Sequence, residues 1–404
     1  MPEAVIVATA RTPIGRAFKG SFTEERADDM AAFIVDAVLN KVPQLDRNTV
    51  DDLILGCGLP GGEQGFNMGR VVAILAGMPD VPGCTITRYC SSSLQSIRMA
   101  AHAVRTGEGD AFVAAGVEAV SRFMVGGSSD HTPNTQNPTF QDAGLRTLAR
   151  MAGDQGDWTP PTGLPDVYIA MGETAENVAE VEGVTREEMD DYAFRSQQRT
   201  GAAIARGFFE REITPYTRKD GTVISADDCP RPQTEREKLG SLAPAFRPTG
   251  RVTAGNACPL NDGAAAVVVM SDTKAKALGL TPLARIVSSG VSGLNPEIMG
   301  LGPVEASRRA LALAGMTIDD VDLVEINEAF AAQVLPSARA LGISEDKLNV
   351  NGGAIALGHP FGMTGARIMG TLLNGLEDSG GTVGLETMCV GGGQGMAMIV
   401  ERLA

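Results

Sequence analysis

Apolar residues recur with two different periods along this chain. Short continuous runs read as strands buried on both faces: Ala4-Val-Ile-Val-Ala8, Leu53-Ile-Leu55, Ala111-Phe-Val-Ala-Ala115 and Ala264-Ala-Ala-Val-Val-Val-Met270. Between them the apolar positions take a helical spacing, which predicts helices over roughly 26–41 and Ser91–Thr106. Strands alternating with helices predict an α/β protein built on a parallel sheet. Residues 122–250 break the rhythm. They are rich in Gly, Pro, Thr, Asp and Arg, with helices expected near 172–182 and 185–206. A long irregular insertion in a compact protein is usually functional.

The pattern also repeats. The helix at 26–41 leads to the strand signal Thr49–Gly56, and a helix at 303–314 leads to Ile318–Asn327. Later, Cys90 opens a helix that runs on to Gly109–Gly116, and His359 precedes one that runs on to Gly380–Met388. Two similar α/β halves would set Cys90 and His359 at related places about a pseudo-two-fold axis.

Composition narrows the classes. The 404 residues suffice for two domains or more. Aromatics make up only 4% of the chain, so Ala, Val, Ile, Leu and Met must fill the core. Lys and Arg number 34 against 49 Asp and Glu, a net −15, which argues against a nucleic-acid partner. A small anionic ligand stays open, because residues 195–251 hold eleven Lys/Arg against seven Asp/Glu. Taken alone, that cluster reads as a solvated loop. The six cysteines have no metal-ligand spacing, so no metal is expected. No leader, no run of 18 apolar residues and no C-terminal address in Glu401-Arg-Leu-Ala404 point to a membrane or an organelle. Reduced thiols in the cytoplasm are the simplest inference.

His359 lies in Gly358-His-Pro360, a turn between an apolar run and a helical pattern from Thr364, a good place for a general base. His102 falls inside a helix, and His131 falls in the insertion without an evident partner. Cys90, in Thr87-Arg-Tyr-Cys-Ser91, precedes a helix whose free N–H groups would favour a thiolate; a buried structural cysteine is the other reading. Cys389 precedes Gly391-Gly-Gly393, which suits either a tight hairpin or N–H groups aimed at an oxyanion. Asn327, in Asn327-Glu-Ala-Phe330, is a helix N-cap or a holder of a catalytic water. Cys57 and Cys84 read as core or turn residues, and Cys229 as exposed. Gly56-Cys-Gly-Leu-Pro-Gly61 matches a dinucleotide fingerprint, but Pro60 and Gly62 allow no immediate helix and Glu63 would face the pyrophosphate.

Together, and in this order, these motifs resemble the thiolase family, the acyl-CoA C-acyltransferases. Met171-Gly-Glu-Thr-Ala-Glu-Asn177, the loop Asn256–Gly263, Gly358-His-Pro360 and Cys389-Val-Gly-Gly-Gly393 belong to the match, which runs from Val5 to Leu403. The likeness within the family is to actinobacterial degradative members. It implies a five-layer αβαβα fold of two βαβαβαββ halves, residues 1–121 with 251–275 and residues 276–404. Residues 122–250 would form a loop domain that covers the site and meets the coenzyme A phosphates with its basic cluster.

The resemblance implies a 3-ketoacyl-CoA thiolase of fatty-acid β-oxidation, or alternatively an acetyl-CoA acetyltransferase running the condensation. Coenzyme A is the co-substrate, no cofactor is tightly bound, and the chain forms a homodimer or homotetramer. By position Cys90 is the nucleophile, His359 its activator, Asn327 the water holder and Cys389 the proton shuttle. The N–H groups of Cys90 and Gly391 form a second oxyanion hole. Met171, Met299 and Phe330 line the acyl pocket, and Phe246, Ala257 and Cys258 meet coenzyme A. Two positions depart from the pattern: Ala170 stands where short-chain biosynthetic members have His, and Cys258 where many relatives have Ser.

Overall fold

The computed structural model describes residues 2–123, 135–153 and 156–404. The first half runs β1 (Ala4–Arg11), α1 (Ala27–Asn40), β2 (Asp52–Cys57), α2 (Met68–Leu75), β3 (Gly83–Ile86), α3 (Ser92–Thr106) and β4 (Ala111–Ala119). An excursion carrying α4 (Gln141–Met151), α5 (Met171–Val181) and α6 (Arg186–Ala205) follows, and β5 (Asn261–Ser271) closes the half. The second half runs β6 (Ala284–Gly293), α7 (Gly302–Ala314), β7 (Leu323–Ile326), α8 (Ala331–Leu341), α9 (Thr364–Ser379), β8 (Val383–Val390) and β9 (Gln394–Arg402).

Strand order exposes the repeat. In the first half it is β3-β2-β4-β5-β1, and in the second β7-β8-β9-β6, with Leu348 bridging in parallel to Val324 beyond β7. Each half therefore places its third, second, fourth, fifth and first strands side by side. The third strand of the second half is reduced to that one bridge. The halves meet through β1 and β6 at only Val5–Arg285 and Ile6–Ala284.

The expected parallel sheet is mixed. β2 runs parallel to β3 and β4, and β7 to β8, but β5 and β9 run antiparallel to their neighbours. The short Gly391–Gly393 turn between β8 and β9 permits no other direction. Side chains alternate along these strands and so divide the core. On β5, Ala266, Val268 and Met270 pack outward with Met30, Ile34 and Val38 of α1, while Ala265, Val267 and Val269 pack inward beside α3 and α9. On β9, Met396, Met398 and Val400 face that same inner layer, and Ala397 and Ile399 face Ala310 and Val334 of α7 and α8. Helices outside, two sheet faces and a helical layer between them make five layers.

The excursion is tied back by charge. Arg11 of β1 is 2% exposed; it donates to Glu212 Oε2 at 2.9 Å and to both carboxylate oxygens of Asp227 at 2.8 and 3.0 Å. Cys229, expected to be exposed, is buried instead, because Asn261 Nδ2 donates to its sulfur at 3.2 Å beneath the same tether. Arg11→Met should leave two buried carboxylates without their cation and lower the unfolding free energy by about 3–5 kcal/mol, read from denaturant midpoints.

Candidate active site

Cys90 sits in a 3-10 turn, Tyr89–Ser91, that feeds directly into α3. Ser92 holds the turn: its Oγ accepts from Arg88 N at 2.9 Å and donates to Tyr89 O at 2.6 Å. Tyr89 takes a left-handed φ of 44°, a strained value for a bulky residue. Burial pushes the Cys90 thiol up to about 12, while the backbone N–H groups of Gly391 and Cys90 itself donate to its sulfur and pull the other way. Both donors of the second oxyanion hole expected from sequence thus already converge on Cys90.

His359 is held on both sides. Its N–H donates to Asn261 Oδ1 at 2.8 Å, and Gly358 before it has φ +113°, with no room for a Cβ against the Asn261 amide. Its Nδ1 lies 2.6 Å from Thr364 Oγ1, whose own proton goes to Pro360 O at 2.8 Å. A hydroxyl has one proton to give, so Nδ1 must be the donor and Nε2 carries the lone pair. Asn327 Nδ2 lies 3.3 Å from that Nε2. Burial, aided by the charge of Arg367, pushes the imidazole down to about 3, so it stands neutral.

Asn327 is not a helix N-cap, since α8 begins only at Ala331 behind Phe330. Its N–H donates to Thr387 O at 3.0 Å and its carbonyl accepts from Gln333 Nε2 at 3.1 Å. Its Oδ1 and the Oε1 of Gln333 are buried without a partner, a setting that suits a bound water. Cys389 is the penultimate residue of β8, fully buried, and its thiol is raised by burial, then by Cys90 and Cys258. Cys258 is likewise raised by burial and next by Cys90. Three thiols therefore share one neighbourhood, with Cys258 fixed by Cys258 N–H to Ala329 O at 3.0 Å and by the Ala257–Phe330 bridge.

A cavity of about 460 Å³ opens at Cys90, lined among others by Leu59, Tyr89, Tyr168, Met171, Phe361 and Gly391. Of the expected acyl-pocket residues, Met171 lines it. Met299 and Phe330 lie instead in the outer core of the second half, 1% and 7% exposed. Phe246 packs edge-on to Phe330, ring centres 6.3 Å apart, and fills the space over Gly172. Sequence reasoning missed Leu59, Tyr89, Phe361, Thr364 and Asn261. Only Tyr89, adjacent to Cys90, and Thr364, at a helix start, carried any signal. His131 lies outside the described residues.

Two sequence signals dissolve on contact. The glycine motif at 56–61 wraps a carboxylate, not a phosphate: Glu118, fully buried, accepts from Gly58 N at 2.7 Å, Leu59 N at 3.3 Å, Gln64 Nε2 at 2.8 Å and Gly362 N at 2.9 Å. The basic cluster is mostly engaged in ion pairs. Arg218 meets Glu25, Lys219 Asp29, Arg211 Glu377 and Asp378, Arg195 Glu345, Arg236 Asp191, and Arg247 both Glu173 and Glu180. The pairs to Glu25, Asp29, Glu345, Glu377 and Asp378 tie the excursion to the body of the acidic chain, while Arg236 and Arg247 pair within it. Among the described residues no group of acidic, His or Cys side chains is placed to hold a metal ion.

Comparison with known proteins agrees with this geometry. Residues 4–273 match the thiolase N-terminal domain and residues 280–402 the thiolase C-terminal domain. The chain is 43% identical over 412 residues to a 3-ketoacyl-CoA thiolase of Shewanella sp. (strain ANA-3), covering 100% of both chains. It is equally 43% identical over 412 residues, with the same full coverage, to a beta-ketoadipyl-CoA thiolase of Acinetobacter baylyi. Among solved structures, the Bacillus anthracis acetyl-CoA acetyltransferase superposes with a TM-score of 0.86 at 39% identity, over 100% of this chain and 99% of that one. Human mitochondrial 3-ketoacyl-CoA thiolase in complex with CoA gives 0.86 at 37%, over 100% and 98%. Matched end to end in sequence and in fold, the chain belongs to the thiolase family.

Proposed function

We propose that the chain is a 3-ketoacyl-CoA thiolase that cleaves a 3-ketoacyl-CoA with coenzyme A into acetyl-CoA and a shortened acyl-CoA, as in fatty-acid β-oxidation in the cytoplasm. One observation carries the reading: the Cys90 sulfur lies under two backbone N–H donors, with His359 neutral and its Nε2 turned to Asn327. Cys90 gives its proton to His359 Nε2 and attacks the 3-keto carbon. The N–H groups of Cys90 and Gly391 take the oxyanion that forms there. The bond between C2 and C3 then breaks. Its electron pair passes to the thioester, whose oxygen is held by protonated His359 and by a water on Asn327. Cys389 protonates the enolate carbon, and acetyl-CoA leaves. Coenzyme A then takes the acyl group from Cys90. The pantetheine arm runs past Phe246, Ala257 and Cys258, under a loop domain formed by residues 122–250. Condensation in the acetyltransferase direction uses the same groups in reverse, and Ala170 speaks against an acetoacetyl-CoA specialist.

The active unit we propose is a dimer, the base of any tetramer. β3 is an edge strand, paired on one side only with β2. Beside it, α2 leaves Val71, Ile74 and Leu75 partly bare, and Phe66 is 98% exposed at a left-handed φ. An unpaired strand flanked by apolar side chains fits a second copy of itself about a two-fold axis.

Incubation with acetyl-CoA should add one acetyl group to Cys90, seen by peptide mass spectrometry. Cys90→Ser should lose that label and at least about 10³ of the thiolysis rate; full activity in that variant sinks the mechanism. The His359 setting makes a second prediction. Its folded pKa lies below its ordinary value, so lowering pH from 8 to 5 leaves the imidazole neutral. The rate kcat/KM should therefore show no fall centred near 6.5. Thr364→Val removes the acceptor that fixes the tautomer and should lower kcat about 10- to 100-fold with KM little changed. Phe66→Glu should halve the native mass seen by light scattering, or reduce it to one quarter of a tetramer.

A further inference from the structure

We propose that the cavity beside Cys90 selects an uncharged, apolar acyl chain longer than acetoacetyl, and rejects a chain that ends in a carboxylate. The inference rests on the thiolase reading and names the class of acyl group that site takes. Overall similarity does not decide the matter, because relatives named for 3-ketoacyl-CoA and for beta-ketoadipyl-CoA match this chain at the same 43% identity. The walls do.

Beyond Cys90 and the glycine turn, the lining is Leu59, Tyr89, Val167, Tyr168, Ile169, Met171 and Phe361, with Thr135 and Gln136 the only other polar side chains. No Lys, Arg or His lines the cavity among the described residues. Nearby cations are committed elsewhere. Arg88 donates to Gln95 Oε1 at 3.1 Å and to Gln394 Oε1 at 2.9 Å, and Arg150 pairs with Glu180 at 2.6 Å. A carboxylate carried into such a space loses water and gains no counter-charge.

Buried carboxyl groups hold one side of the wall in place. Glu297, 6% exposed, accepts from Trp158 Nε1 at 2.7 Å and from Asp166 N at 2.8 Å. Asp166, 4% exposed, accepts from Thr147 Oγ1 at 2.6 Å and from Tyr168 N at 3.0 Å. These two buried carboxyl groups, Glu297 with Arg146 Nη2 at 3.9 Å, fix the segment that presents Val167, Tyr168 and Ile169. Size sets the lower limit. At roughly 30 Å³ for a water-sized group, the 460 Å³ cavity has room for about fifteen. An acetoacetyl group would leave most of its apolar wall wet.

Thiolysis of acetoacetyl-CoA, 3-ketohexanoyl-CoA and 3-ketoadipyl-CoA by the full-length protein tests this. The latter two have the same number of chain carbons and differ only at the far end. We expect kcat/KM for the hexanoyl substrate to exceed the adipyl one by at least about 100-fold and acetoacetyl-CoA by at least about tenfold. Adipyl cleavage within about threefold of hexanoyl, or a preference for acetoacetyl-CoA, overturns the class assignment and leaves the thiolase reading standing. Cleavage of none of the three, with no acetyl group on Cys90, overturns both.

Discussion

The structure depends on how closely α3 and α9 meet in the central layer. A Cβ on Gly365 would lie 2.4 Å from Leu94 N, and one on Gly116 would lie 2.0 Å from Gly362 O. No side chain fits either place. Ser93 Oγ completes the contact by accepting from Ala366 N at 2.9 Å. The equivalent helices of the two halves therefore touch backbone to backbone. Their entry turns, one carrying Cys90 and the other His359, come together as a consequence. Helix N-termini leave N–H groups unpaired, so the crossing sets unused donors around the reacting sulfur.

That crossing is buried, and burial explains the electrostatics. Burial raises the Cys90 thiol and lowers the His359 imidazole, so both rest uncharged. The same layer holds Arg367 and Glu386, whose charged atoms have no hydrogen-bond partners, and Glu325, which pairs in register with Glu386 on the next strand. Burial pushes Glu325 up to about 8, so it holds its proton at neutral pH, and pushes Glu386 well above the ordinary carboxylate range. Arg367 stands one helical turn beyond Thr364, and with little water to screen it, its charge opposes protonation of His359. The reaction develops negative charge at the acyl oxygens, where oriented donors meet it. Losing one such donor typically costs about 3–4 kcal/mol of transition-state stabilisation.

Much of this was legible in the sequence, and the failures have physical causes. Strand and helix periods located the elements, and the order of helices and strands disclosed the repeat that relates Cys90 to His359. Strand direction was not legible, since a buried apolar run reads the same both ways; the connection decides it, as at Gly391–Gly393. Cys90, His359 and Cys389 stood out because turn residues flank them. Asn261 did not, because a small polar residue has no pattern until its partner is known. The local excess of positive charge misled for a related reason. Several of its counter-charges, Glu25 and Glu377 among them, lie more than a hundred residues away in the chain and adjacent in space.

The scarcity of histidine then acquires a reason. Glu118 lies close enough to Cys90 to raise its thiol, yet four N–H donors occupy it, so it ties the 58–59 and 362 loops together and cannot serve as a base. Proton transfer is left to groups that rest neutral without water: one imidazole and the neighbouring thiols. Ala170 follows the same logic. It stands between Ile169 and Met171, both on the cavity wall, and begins α5 with its carbonyl accepting from Glu173 N at 3.0 Å. An imidazole there would set a titratable group beside a wall that, apart from Thr135 and Gln136, is mostly hydrocarbon and aromatic ring. Alanine keeps the wall apolar, so the same substitution that departs from the short-chain pattern suits the chain to a longer, uncharged acyl group.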